Sequence, residues 1–309
     1  MMAQARVAVP LFIMLGISLG CSIMLMIAYR IFPDMFENTI GYEITEASMY
    51  LAYMAIPTFT FGLISGKKIT SYFAVRRTGR HGFALFLFGL GIIYFGQYVA
   101  VIISNFLNGA GVFTPAGEYG DGDIGLLIFR IIYIAVFPAI LEEFLTRGVI
   151  LGELLPYGKG FAIVVSGALF AFMHMDLVQF PFAFLAGIAM AYVAVSYGSL
   201  RIAVLIHFAN NFISVLFSSL PAFIPEEWCV FMEATVSALI FIGGISAAIY
   251  LMLKKDNKDV KRKALCANVN EEDKIDLRVS PLKNISPLLY VYAAVAVTMA
   301  IVEAVLSNI

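Results

Sequence analysis

Of the 309 residues, 61% are hydrophobic and only 13% charged, and the 20 Lys and Arg nearly balance the 21 Asp and Glu. An ordinary soluble domain carries roughly 25% charged residues, so this composition excludes one. The apolar runs are continuous rather than alternating, which excludes a membrane β-barrel, and no basic patch with interleaved aromatics marks a nucleic-acid surface.

What remains is an all-α fold, a polytopic membrane helix bundle of about eight or nine transmembrane helices that satisfies its backbone within each helix. The apolar runs predict helices near 7–29, 46–65, 82–104, 124–155, 161–175, 178–197, 202–219, 229–253 and 286–307. The first run stays apolar from Val7 to Ala28, past the length of a cleavable signal core, and reads as a membrane helix. Cys21, Cys229 and Cys266 match neither a zinc spacing nor a disulfide framework and read as three unpaired thiols.

Charge sorts the connections. Lys67, Lys68, Arg76, Arg77 and Arg80 follow the second helix, and a cluster from Lys254 to Lys263 follows the eighth. Asp34, Glu37 and Glu43 fall in the first loop, and Glu118, Asp121 and Asp123 in the third. The positive-inside rule makes the basic loops cytoplasmic, with the N-terminus inside and the C-terminus outside; Arg30 is the one exception. The expected organisation is a single transmembrane domain over 1–309, with a polar core at about 124–219 and a cytoplasmic polar linker at about 254–285.

Within that core, ionisable residues stand at membrane depth. Each costs on the order of 2.5–3.5 kcal/mol to insert, so such residues face one another or a wet cavity. Pro138 has no N–H for the carbonyl of Ile134, so the fourth helix is expected to kink there. Glu143 precedes Arg147 by four residues, the spacing of an intrahelical ion pair, and that pair reads equally well as a structural staple. Glu142 faces Thr146 at that spacing and is left as the carboxylate free for chemistry. Counted from Gly158, Glu142 and His174 lie sixteen residues away on either side, hence at one depth. Gly167 and Ala171 admit a close helix neighbour, and Ala183, Gly187 and Ala191 repeat the device on the sixth helix. His207 and Asn211 are spaced to converge on one atom, with Asn210 on the same stripe. The same depth count puts His207 about 10 Å nearer the cytoplasm than Glu142.

These residues resemble the CAAX prenyl protease and bacteriocin-processing family, also called CPBP or Abi. Its motifs E-E-x-x-x-R, F-x-x-x-H and H-x-x-x-N read here as Glu142-Glu143-x-x-x-Arg147, Phe170-x-x-x-His174 and His207-x-x-x-Asn211. Thr146 stands where members often have an aromatic, a difference expected to bear on packing more than on chemistry. The resemblance implies an intramembrane glutamic endopeptidase with no cofactor and no metal. In it Glu142 activates water, His174 orients it or shuttles a proton, and His207 and Asn211 donate to the oxyanion, with Glu143 and Arg147 in support.

The implied substrate is a membrane-associated peptide or lipidated protein: a prenylated C-terminus, or a bacteriocin or signalling peptide. The resemblance also implies a multi-pass protein of a prokaryotic plasma membrane. Two rivals stand beside this reading. One is a non-enzymatic immunity or regulatory protein that binds a peptide or a sensor partner. The other is a zinc-dependent intramembrane protease, since Glu, His and Asn are all ligand types, although no H-E-x-x-H occurs.

Overall fold

The computed structural model describes residues 3–32, 39–65, 81–109, 122–198, 200–254 and 286–306. The apolar runs become nine helical segments among these residues: α1 (Ala3–Ile31), α2 (Thr39–Ser65), α3 (Gly82–Gly109), α4 (Ile124–Tyr157), α5 (Lys159–Met173), α6 (Gln179–Tyr197), α7 (Leu200–Ser219), α8 (Glu226–Leu253) and α9 (Pro287–Leu306). Seven are long and apolar enough to cross a membrane. With α5 and α9 they form an all-α polytopic bundle. At fifteen residues α5 reaches only about 22 Å, short of a hydrocarbon core of roughly 30 Å.

Pairs of glycines set the closest helix contacts. A Cβ added to Gly187 would lie 2.8 Å from the Cα of Gly167, and one added to Gly91 would lie 2.9 Å from the Cα of Gly244. Only backbones without side chains approach this closely, so α5 meets α6, and α3 meets α8, at small-residue seams. The packing expected of Gly167 and Gly187 is thus observed.

Two ion pairs fasten opposite ends of the bundle. Arg6 of α1 lies 2.7 Å from Glu153 near the end of α4. Arg130 near the start of α4 donates through Nε to Glu43 of α2 over 2.7 Å, with both groups buried. Glu43, expected in the first loop, therefore belongs to a helix that starts seven residues earlier than its apolar run. A charge ends an apolar run in the sequence, but one neutralised by a partner does not end the helix.

The two halves of the bundle differ. Around the α4–α5 turn, Val7, Leu11, Val149, Leu151, Leu154 and Leu200 pack into a core in which none is more than 2% exposed. The other half holds a cavity. The basic segments 66–80 and 255–285 and the acidic stretch 117–121, on which the expected orientation and the polar linker rest, lie outside the described residues.

Candidate active site

The site is built on α4, which is not a uniform helix. A π-helical turn occupies Ile131–Val136, directly before Pro138, and a second runs through Phe144–Ile150, directly after the glutamates. The first lies where Pro138 interrupts α-helical hydrogen bonding, so the expected distortion appears as a widened turn. Glu142 and Glu143 fall on the short α-helical stretch between the two.

Glu143 pairs with Arg147 as its spacing predicts, Nη1 to Oε1 at 2.7 Å, and both side chains are fully buried. Arg147 also donates to the Thr146 hydroxyl over 2.6 Å and to the Gly187 carbonyl over 3.2 Å. Its guanidinium stands 4.3 Å over the Phe170 ring, a cation–π contact. Thr146 in turn donates to the Glu142 carbonyl over 2.6 Å. The substitution expected to affect packing therefore supplies a hydroxyl that links the arginine to the backbone of the first glutamate.

His207 stands between the two glutamates. Its Nδ1 lies 2.9 Å from Glu143 Oε1, and its Nε2 lies 3.9 Å from Glu142 Oε2. An ionised carboxylate only accepts, so Nδ1–H donates to Glu143 and Nε2 is turned toward Glu142. The 10 Å offset expected from counting residues is absent. The count treated the α4–α5 turn and the α6–α7 turn as level. Glu142 lies sixteen residues from Gly158 while His207 lies nine from Gly198, so their meeting requires the α4–α5 turn to project further.

His174 caps the end of α5, where Met175 takes a left-handed backbone (φ 50°) and stops the helix. Its Nδ1 donates to the Phe170 carbonyl over 2.9 Å, leaving Nε2 available. The Phe170 ring meets both imidazoles edge-on, at 4.9 Å from His174 and 6.0 Å from His207. One aromatic thus packs against both histidines and the arginine.

Sequence reasoning missed Tyr50. From α2, its hydroxyl donates to Glu142 Oε1 over 2.9 Å, while Glu142 Oε2, though buried, has no hydrogen-bond partner among the described residues. Tyr53, a turn later, donates to the Met173 carbonyl over 2.9 Å. Nothing distinguishes these tyrosines from the other aromatics of an apolar helix.

A chain of amides holds Asn211. Gln97 of α3 donates to Asn210 Oδ1 over 2.9 Å, Asn210 Nδ2 donates to Asn211 Oδ1 over 3.0 Å, and Asn211 Nδ2 donates to the Ile134 carbonyl over 2.9 Å. That carbonyl is the one Pro138 cannot serve at α-helical spacing. Since a carbonyl only accepts, it requires the NH2 side of Asn211, and that choice sets the direction of the whole chain.

Glu142, His174, His207, Asn210 and Asn211 all line one cavity of about 570 Å3, together with residues of α1, α2, α3 and α6. A pocket of this size takes a small ligand or a few residues of a peptide. Among the described residues no group of three or more His, Cys, Asp or Glu has an arrangement that could hold a metal ion.

Residues 124–213 match a family model described as Rce1-like: Type II CAAX prenyl endopeptidase Rce1-like. The matched span runs from the start of α4 into α7, the helices that carry the three motifs. All seven motif residues lie within it, whereas Tyr50 and Gln97 reach the site from helices outside the matched span. No curated protein and no solved structure matches the chain.

Proposed function

We propose that the protein is an intramembrane glutamic endopeptidase that cleaves a membrane-associated peptide or lipidated protein, with Glu142 as general base. The observation that carries this reading is the asymmetry of Glu142. Tyr50 holds one oxygen, and the other faces His207 Nε2 across 3.9 Å at the cavity wall. That gap is too long for a direct hydrogen bond, and in this reading the attacking water lies beside both atoms.

In the proposed reaction Glu142 Oε2 takes a proton from this water as its oxygen attacks the scissile carbonyl carbon. His174 Nε2 orients the water from the end of α5. The carbonyl π electrons move onto oxygen, which receives hydrogen bonds from the second N–H of Asn211 and from Nε2–H of protonated His207. Glu142 then passes its proton to the leaving nitrogen, the C–N bond breaks, and a carboxylate and an amine result. With His207 protonated, Glu142, Glu143, Arg147 and His207 sum to zero charge, which suits groups buried at membrane depth.

A reporter peptide incubated with purified protein tests this reading. Glu142→Gln should abolish cleavage, and exhaustive treatment with a strong chelator should leave wild-type turnover intact. Activity lost on chelation and restored by zinc selects the metalloprotease instead. Cleavage absent from the wild type, with the peptide still bound, selects the non-enzymatic binding protein.

A further inference from the structure

Among the described residues the cavity lies toward one end of the bundle, and the charges say which side of the membrane that is. On α1, α2, α5 and α6 the lining residues sit toward the same end. Those of α1 begin at Ser18, past its midpoint; those of α2 end at Tyr53 and those of α6 at Met190, both counted from a helix start at that same end. Ser22, Gln179 and Ser214 line it and are exposed, so they mark the mouth. Consecutive helices alternate in direction, so this is the end where α1 meets α2 and α5 meets α6. Toward the other end, beyond Glu142, the packed core around Val149, Leu151 and Leu154 closes the bundle.

The charges divide along the same line. Among the described residues Arg6, Lys159, Arg201 and Lys254 fall at the closed end, where the acid Glu153 is paired with Arg6. Asp123, Asp176, Glu226 and Glu227 fall at the open end, where the basic residues among those described are Arg30 and Arg130, the latter paired with Glu43. Basic residues are retained on the cytoplasmic side, so the closed end is cytoplasmic.

We propose that the catalytic cavity is entered from the non-cytoplasmic face and that its substrate is a peptide segment presented there, one already translocated, rather than the lipidated C-terminus of a cytoplasmic protein. This rests on the protease reading for the chemistry and on the cavity and charge distribution for the direction. Water and peptide then reach Glu142 from outside without crossing the leucine-rich core.

Cys21 lines the cavity and is a native probe. In a variant carrying Cys229→Ser and Cys266→Ser, a charged, membrane-impermeant methanethiosulfonate reagent is applied to intact cells and to inside-out vesicles. Lys159→Cys and Glu226→Cys, each in a background with all three native cysteines replaced by serine, mark the two ends. Cys21 and the residue-226 variant should be labelled in intact cells, and the residue-159 variant only in inside-out vesicles. Labelling of Cys21 from the cytoplasmic side only, or from neither side, overturns the proposal. A reporter peptide fused to a membrane anchor should be cleaved when displayed outside and stay intact when displayed in the cytoplasm; the reverse pattern also overturns it. Labelling does not depend on turnover, so a Glu142→Gln variant that still cleaves would remove the glutamate mechanism and leave the direction of entry standing.

Discussion

His207 Nδ1 and Arg147 Nη1 meet on one oxygen of Glu143, at 2.9 and 2.7 Å. Glu143 is therefore more than the counter-charge its spacing suggests, because it also aims the imidazole. Glu142→Gln should remove activity while the melting temperature stays near wild type. Glu143→Gln leaves a fully buried guanidinium without its partner, a loss of about 3–5 kcal/mol for such pairs, and slackens His207 as well. Melting curves in detergent, run beside turnover assays, should show Glu143→Gln failing on both counts. A Glu143 variant with normal stability and normal turnover would show that neither contact matters.

The amide chain makes a graded prediction. Asn211→Ala should lower kcat by about 10²–10³, as for other oxyanion donors. Asn210→Ala touches no reacting atom, but it frees Asn211 to rotate; a neutral hydrogen bond is worth about 1 kcal/mol, so kcat should fall by roughly fivefold to tenfold. KM should not move. Gln97→Glu, whose carboxylate cannot donate to Asn210, should behave like Asn210→Ala, and a rise in KM without loss of kcat at either position would contradict the positioning role.

Tyr50→Phe deletes one hydroxyl and its bond to Glu142. Hydrogen bonds to charged groups are worth about 1.5–3 kcal/mol, which sets an expected loss in kcat of roughly 10- to 100-fold. Tyr53→Phe, which loses only a bond to a backbone carbonyl, should leave kcat within a few-fold of wild type. Steady-state kinetics on the two variants separates them.

The glycine seams can be tested by adding one methyl group. In Gly187→Ala the new Cβ meets the backbone of Gly167, which cannot step aside, and overpacking of this kind costs about 1–3 kcal/mol. In Gly89→Ala the Cβ meets Ile206 Cδ1 at 2.5 Å, the far end of a side chain that can turn away. Thermal unfolding should show a clear loss for the first and a small one for the second.

The bundle was legible because a bilayer demands long apolar runs, and these stand out in any composition. The three motifs were legible because charged and amide residues at membrane depth have few reasons to be there. What stayed hidden depended on three-dimensional partners. Tyr50 and Gln97 carry no spacing signal, and the start of α2 was obscured by Glu43, whose partner Arg130 lies 87 residues away. The depth of His207 was misjudged because residue counts measure distance from a turn, not the level at which the turn sits.

The ion pairs also bear on how the chain enters the membrane. The α4 segment carries five charged residues, Arg130, Glu142, Glu143, Arg147 and Glu153, and each alone would be expensive to insert. Every one has a partner made no later than α4 itself: Arg130 with Glu43, Glu142 with Tyr50, Glu153 with Arg6, and Glu143 with Arg147. As the ribosome extends the chain, α1 and α2 are in place before α4 emerges. The segment that carries the chemistry can thus enter the bilayer with four of its five charges paired to opposite charges and the fifth, Glu142, held by a hydroxyl, before His207 and Asn211 are synthesised.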